Sequence, residues 1–303
     1  AENEADYLLA ECVEKCITHN INDTAFQSLL ENYNKNRNFL EFKKTVFKIH
    51  KFLKSVEDST LWVSSVLENS FNVSENNKPL NFLNDYYVEK IKDAVEELKH
   101  LKVVALANDL EKVANNCVSL IEIGEKFIGK TFSQNFELVK LDYAFPTIYG
   151  KAKSEEEKDI RKNYSAIKKQ LQEAVKDYSE ACPYETQQEL EIALKNNKEK
   201  ITSLIDFVNF VDGEYSTVKK KINSLDFNDL EHYALKILAN ENILNEIKNR
   251  YKYIFVDEYQ DTNSVQEKIL SLISSGDNLF MVGDVKQSIY RFRGGDSQLM
   301  LDI

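Results

Sequence analysis

Two adjacent carboxylates follow a short apolar run near the C-terminal end of the sequence. Asp257 and Glu258 come directly after residues 253–256, a run that is typical of a buried strand. Like charges side by side repel, so the pair needs a chemical reason. In a phosphate-handling site, one carboxylate, here Asp257, holds Mg²⁺, and the next, Glu258, activates the attacking water. The alternative is that these acids only cap the following helix, at residues 261–263.

A second apolar run with the same pattern predicts a parallel sheet. Residues 279–282 precede Gly283 and Asp284, and a helix over about 264–274 separates the two runs. Parallel sheets place their chemistry at the carboxyl ends of their strands, so both acidic segments are expected at one edge. Gln260 supplies an amide there, and Gln287 supplies a second amide that could reach a terminal phosphate. A stand-alone carboxylate–Mg²⁺ phosphohydrolase would need more acidic ligands than these.

The residues after Gln287 interleave aromatic side chains with arginines. Tyr290 and Phe292 alternate with Arg291 and Arg293 in a segment that ends in two glycines. Aromatic faces stack on bases, each contributing about 1–3 kcal/mol, and arginines pair with phosphates. Next to a sheet edge that hydrolyses a nucleotide, such a segment would link the state of that nucleotide to the binding of single-stranded nucleic acid. The alternative is that the two aromatic side chains fill a core.

The composition predicts a mainly helical protein that works in a reducing cytoplasm. The 303 residues have 43% apolar content, eight glycines, three prolines and four scattered cysteines, which form no disulfide framework. No apolar run is long enough to span a bilayer, so we expect no membrane partner. The net charge of −11 argues against coating nucleic acid, but it allows a local DNA site.

Helical periodicity covers most of residues 23–250. Val88, Ile91, Val95 and Leu98 recur at spacings of three and four, which predicts a helix with one face in a core. Residues 131–153 contain aromatic side chains without clean periodicity, and we expect a packed loop there.

One string matches a phosphate-binding P-loop letter for letter. Residues 124–131 fit the pattern G-x-x-x-x-G-K-T. We expect it not to bind phosphate, because Lys126, Phe127 and Ile128 are too bulky for a loop that curls around an anion. The residues before it also continue a helical stripe rather than a strand.

The C-terminal motifs resemble those of a known helicase family. Residues 256–263 (VDEYQDTN) are similar to motif II of the UvrD/Rep-like superfamily 1 DNA helicases, and 282–296 (VGDVKQSIYRFRGGD) to their motif III. Residues 225–230 (LDFNDL) look like the acidic-aromatic motif just upstream of motif II. The UvrD branch usually has Trp at the position of Phe292. With Phe there, motif III is most similar to that of AddA, the RecB-like helicase–nuclease subunit.

The resemblance implies roles for the acidic and amide residues. Asp257 would ligate Mg²⁺, and Glu258 would be the general base for ATP hydrolysis. Gln260 and Asp284 would couple the nucleotide site to its surroundings. Gln287 would contact the γ-phosphate of ATP.

The resemblance also implies that Tyr290 and Phe292 stack on bases of single-stranded DNA, with Arg293 near the DNA or the nucleotide cleft. It implies an AddB-type partner subunit, activity on single- and double-stranded DNA, and double-strand break processing.

The domain organisation that we expect has two parts. Residues 1–222 would form a large helical insertion like subdomain 1B, and residues 223–303 would form a partial α/β RecA-like domain with a parallel sheet. The P-loop, the later helicase motifs and the nuclease domain are expected outside this chain, which would then be inactive by itself. The alternative is a non-catalytic helical module that binds duplex DNA or a partner subunit.

Overall fold

Helices dominate the structure, a computed structural model that describes residues 2–31, 33 and 39–288. In those residues the helices are α1 (Glu2–Asn20), α2 (Thr24–Glu31), α3 (Leu40–Lys54), α4 (Ser59–Asn69), α5 (Lys78–Ala107), α6 (Glu111–Glu125), α7 (Phe132–Leu138), α8 (Glu155–Ala181), α9 (Gln187–Lys221), α10 (Phe227–Leu238), α11 (Glu241–Arg250) and α12 (Ser264–Ile273). The two strands in the same residues are β1 (Ile254–Val256) and β2 (Leu279–Met281), and they are parallel. The predicted mainly helical fold with a small parallel sheet is therefore confirmed.

The described chain divides into two compact units. One unit contains the residues up to Ser65 together with those from Glu199 onward, and the other contains Val66–Lys198. This division follows contacts within the chain and differs from the division at residue 222, which stays a prediction. In the part of the chain that the structure describes, no helix has the length and apolar character needed to cross a bilayer.

The unit Val66–Lys198 is built on α5, α6 and α8. The predicted apolar stripe is confirmed, since Ile91, Val95 and Leu98 on α5 are all fully buried. Gly124 on α6 allows the close approach of these helices, because a Cβ there would lie 2.2 Å from a Val95 methyl carbon. Leu171 on α8 completes this part of the core.

The string that matches a P-loop belongs to this helical core. It begins at Gly124, inside α6, and Phe127 is 0% exposed. The carbonyl of Lys130 accepts a hydrogen bond from Asn84 Nδ2 at 3.2 Å. A phosphate loop follows a strand, whereas this segment follows a helix and holds Phe127 in the core. The expectation that a helical stripe rather than a strand precedes the string is confirmed, and the expectation that the string binds no phosphate stays a prediction.

The expectation of a loop over 131–153 is wrong at its start. Residues Phe132–Leu138 form α7, and Phe132 and Phe136 are buried. Thr131 and Gln134 form a capping box at the beginning of this helix. A capping box satisfies two N–H groups at once, so a helix of only two turns is stable where its aromatic face packs.

The first unit has an aromatic core formed by α2, α3 and α9. The rings of Phe26 and Phe207 are stacked with centroids 4.7 Å apart, and Phe42 contacts both. Stacked and edge-on aromatic pairs stabilise a core by about 0.5–1.5 kcal/mol beyond their burial.

A partly buried polar cluster in the same unit connects α9 to α3. Asp212 on α9 contacts His50 Nε2 and Lys54 Nζ on α3, each at 2.8 Å. Burial alone would raise the pKa of Asp212, but hydrogen bonds from His50 and Lys54 outweigh it and lower this pKa to about 2. The cluster therefore ties α9 to α3 most strongly while Asp212 is ionised.

Asp212 is expected to make the first unit sensitive to acid. Its pKa in the folded protein lies below the unfolded value, so its stabilisation is present above about pH 4 and is lost as the pH falls toward 2. We expect the difference in free energy of unfolding between wild type and Asp212→Asn to shrink by about 2 kcal/mol between pH 5 and pH 2. Urea unfolding at each pH measures this difference, and Asp206→Asn, at an exposed position, is the control. A difference that does not change with pH would contradict this account.

The sheet of β1 and β2 is covered on one face only. The register pairs Phe255 with Phe280, and both side chains are exposed, Phe255 by 73%. Ile254 and Val256 are half-buried on the opposite face. The prediction of a buried strand is therefore wrong for Phe255 in the described residues. A continuous apolar run predicts cover on both faces, but the described residues cover only the side that carries Ile254 and Val256.

Candidate functional site

The predicted acidic residues meet at the carboxyl ends of the two strands. Beyond the sheet, Val282 N donates to Val256 O at 2.9 Å, and Tyr259 N donates to Val282 O at 2.9 Å. These two bonds hold the turn 257–261 against the segment 282–287. The expectation that both acidic segments lie at one edge is confirmed by this geometry.

Asp257 and Glu258 both point toward solvent rather than into the core. Both residues are exposed, and Asp257 Oδ1 accepts a hydrogen bond from Glu258 N at 3.0 Å. Glu258 has φ 53° and ψ 40°, the left-handed region that L-residues other than Asn and Asp rarely adopt. Residues in such conformations persist only where their surroundings fix them, and they cluster at functional sites.

Gln260 connects the two acidic segments. Its side chain is 1% exposed; Nε2 donates to Glu258 Oε2 at 2.6 Å, and Oε1 accepts from Asp284 N at 2.9 Å. A buried amide must satisfy both of its ends, and Gln260 does so with one partner at each strand end.

Asp284 and Gln287 lie together on the second segment. Asp284 Oδ1 accepts from Lys286 N at 2.9 Å, and Gln287 Nε2 donates to Asp284 Oδ2 at 3.1 Å. Asp284 thus caps a short 3₁₀ turn over Val285–Gln287. Both residues are exposed.

An open cleft of about 410 Å³ lies between the acidic turn and α12. Its polar wall contains Asp257, Glu258 and Asp261, and its apolar wall contains Ile269 and Leu270 of α12. Carboxylate oxygens on one wall can hold a hard cation or accept a proton from water. The alternative that the acids only cap α12 is wrong for Asp257 and Glu258, because Asn263 is the N-cap of that helix.

The aromatic–arginine segment lies outside the described residues. Tyr290, Phe292 and Arg293 are therefore not located relative to the cleft. The last described residue, Ser288, donates from Oγ to Gln260 O at 3.3 Å, so the chain reaches residue 289 from beside Gln260.

Sequence reasoning missed the residues that connect the acidic turn to helix α12. Tyr259 is buried, its hydroxyl donates to Glu267 on α12, and burial and this carboxylate raise its pKa. Asn263 and Gln266 form a capping box that begins α12. The spacing Asn-x-x-Gln before an apolar stripe was the available signal for the capping box. The Tyr259–Glu267 pair has no comparable sequence signal.

The chain belongs to the UvrD/REP helicase family. The family described as "UvrD/REP helicase N-terminal domain" matches residues 11–303, which is nearly the whole chain. The resemblance drawn from motifs II and III is therefore confirmed.

Similar curated proteins bear the names of ATP-dependent helicase/nuclease subunits. The protein of Lactococcus lactis subsp. cremoris (strain SK11) is 29% identical over 99% of this chain and 26% of its own length. That of Clostridium novyi (strain NT) is 32% identical over 91% of this chain and 24% of its own length. That of Staphylococcus aureus (strain bovine RF122 / ET3-1) is 29% identical over 100% of this chain. The chain spans about a quarter of the length of the curated relatives it matches.

Proposed function

We propose that this chain is part of the motor of an AddA-type ATP-dependent DNA helicase–nuclease subunit. The subunit couples ATP hydrolysis to movement along single-stranded DNA, for DNA unwinding and double-strand break repair. The main supporting observation is that Gln260 joins Glu258, on one strand end, to Asp284, on the next. A helicase needs such a link, because the state of the nucleotide must reach the residues that grip DNA.

Asp257 and Glu258 divide the hydrolytic work. Asp257 contributes a carboxylate oxygen to Mg²⁺, and Glu258 accepts the proton of the attacking water. Bound Mg²⁺ neutralises charge on the phosphates. Mg²⁺ commonly takes one or two protein carboxylates and completes its shell with phosphate oxygens and water, a demand that Asp257 alone could meet.

The amide residues sense the terminal phosphate. Gln287 releases Asp284 and donates its N–H group to the γ-phosphate, which frees an oxygen of Asp284. The backbone N–H of Asp284 contacts Gln260, so the shift reaches Glu258 and the segment that follows Ser288. That segment contains Tyr290, Phe292 and Arg293, which hold single-stranded DNA by stacking and by phosphate contact.

The 303-residue chain by itself does not hydrolyse ATP in this proposal. The string at 124–131 begins inside helix α6 and places Phe127 in a helical core, which is not the strand-to-helix loop that cradles phosphates, so in this proposal the P-loop comes from elsewhere in the full-length subunit. That subunit works in the cytoplasm with an AddB-type partner on duplex and single-stranded DNA.

ATP hydrolysis measured with and without single-stranded DNA tests the function. We expect the full-length subunit with its partner to hydrolyse ATP faster when DNA is present. We expect the 303-residue chain to show no turnover in either condition. A full-length subunit that does not hydrolyse ATP would refute the proposal.

Removing one stacking ring is expected to weaken DNA binding. Tyr290→Ala in the full-length subunit should reduce the affinity for single-stranded DNA by about 1–3 kcal/mol, because each base–aromatic stack contributes that much. Fluorescence anisotropy with a labelled oligonucleotide measures this loss. Exposed Tyr149 provides the control substitution, Tyr149→Ala. Wild-type affinity in the Tyr290 variant would count against the stacking role.

A further inference from the structure

Glu231, on α10, contacts both members of the capping box that begins α12. Its Oε1 accepts from Gln266 Nε2 at 2.7 Å, and its Oε2 accepts from Asn263 Nδ2 at 3.2 Å. Glu231 follows directly after the LDFNDL segment and is half-buried between the two helices. One carboxylate therefore receives two amide donors, one at each oxygen.

These bonds add a contact at the amide nitrogens to the reciprocal bonds of the capping box. Asn263 Oδ1 accepts from Gln266 N at 2.8 Å, and Gln266 Oε1 accepts from Asn263 N at 3.3 Å. One of the two N–H donors on each side-chain amide is directed at Glu231. Both amides are therefore fixed at oxygen and at nitrogen, and neither can flip without placing two donors or two acceptors face to face.

The capping box determines where the acidic turn ends. Asn263 closes the segment that contains Asp257 and Glu258, and Gln266 lines the same cleft as these carboxylates. A displacement of the box would move the turn and the wall of the cleft together. Displacements of about 1 Å in a catalytic site can change rates by up to about a hundredfold.

Helix α10 is itself anchored, so Glu231 is a fixed point. At its N-terminus, Asp226 and Asp229 contact buried Lys219 of α9. One residue after Glu231, His232 Nε2 contacts Lys54 O of α3 at 2.9 Å. The carboxylate of Glu231 is therefore presented by a helix that is held on α9 and α3.

We propose that Glu231 is a positioning residue for hydrolysis, which holds the Asp257–Glu258 turn in place through the capping box of α12. This inference rests on the proposed function of that turn. It assigns a task to the residue just after the LDFNDL segment, on a helix that does not line the cleft. Glu231 touches no reacting atom and acts only through Asn263 and Gln266.

Glu231→Gln in the full-length subunit is the sharpest test. Glutamine has the same size, but its NH₂ group would face the NH₂ group of Asn263 or Gln266. We expect hydrogen exchange of the backbone amides in 259–266 to accelerate about tenfold, because the amide of Asn263 or Gln266 loses its partner. We expect kcat to fall about tenfold, while the Kd for a non-hydrolysable ATP analogue stays within about twofold.

Glu246→Gln is the control, since exposed Glu246 on α11 undergoes the same loss of charge. Unchanged exchange in Glu231→Gln would show that the contact does not hold the turn, and would overturn the inference. Faster exchange with wild-type kcat would also overturn it, because the turn would then not need this support. A uniform loss of kcat, nucleotide binding and melting temperature would indicate only a folding defect and would contradict a positioning role.

The wild-type enzyme separates failure of this inference from failure of the proposed function. If the wild type hydrolyses ATP and Glu258→Gln does not, the proposed function is supported. The Glu231 variant then tests only the positioning role of Glu231. If the wild type hydrolyses no ATP, the proposed function and this inference both fail. A second variant, Gln266→Leu, removes the shorter contact. In that background we expect Glu231→Gln to lower kcat by clearly less than its roughly tenfold effect in the wild type, because only the Asn263 contact remains to be lost.

Discussion

Replacing Glu258 with glutamine in the full-length subunit is expected to slow ATP turnover by about 10²–10⁴-fold, the usual contribution of a positioned general base. Nucleotide binding should stay within a few-fold of wild type. The structure makes this substitution informative, because a glutamine oxygen can still accept the hydrogen bond that Gln260 Nε2 donates to Glu258. The scaffold of the turn is kept, and only the ability to take a proton is lost.

Single-turnover kinetics with DNA present, together with binding of a non-hydrolysable ATP analogue, measure the two quantities separately. Glu246→Gln on α11 reports any effect of removing one negative charge elsewhere. Turnover near the wild-type rate in Glu258→Gln would refute the role of general base. Loss of nucleotide binding in the same variant would instead indicate a damaged cleft, and would contradict the division of labour between Asp257 and Glu258.

The strand ends of the candidate site were predictable because their signals are local. An apolar run followed by acids predicts a strand and its carboxyl end without any knowledge of the rest of the fold. For Gln260, the sequence predicted a coupling role but not the two hydrogen bonds that the side chain forms. Its two partners come from different strand ends, and sequence spacing does not determine which amide end faces Glu258 or Asp284.

The parts that sequence reasoning missed depend on contacts between distant segments. Glu231 and Gln266 are 35 residues apart, and an acid on an amphipathic helix is typical of a solvated face. The exposure of Phe255 was missed for the opposite reason. Its apolar neighbours predict a covered strand, whereas cover depends on which elements pack against the sheet. Local patterns predict elements and their ends, and tertiary contacts decide what each end touches.

Lys219 provides the second large expected effect, on stability rather than turnover. Lys219 is 5% exposed, and its Nζ lies 2.8 Å from Asp226 Oδ2 and also contacts Asp229. Lys219→Met keeps most of the packing over the Tyr215 ring but leaves two partly buried carboxylates without their cation. Removing one partner of a buried ion pair costs about 3–5 kcal/mol, so we expect the free energy of unfolding to fall by an amount in that range.

The pH dependence of this loss distinguishes charge from packing. Burial alone would raise the pKa of Asp226, but Lys219 and the backbone N–H of Asp229 lower it. Asp226 therefore stabilises wild type above about pH 4, and this contribution is lost as the pH falls through its lowered pKa. In Lys219→Met the pKa of Asp226 is lowered less, because the contribution of Lys219 is gone. The variant therefore loses less stability than wild type on acidification, and the difference between them should shrink between pH 7 and pH 3. Urea unfolding measures this, with Lys220→Met at the exposed neighbour as control; a difference that is constant with pH would mean that packing, not charge, is lost.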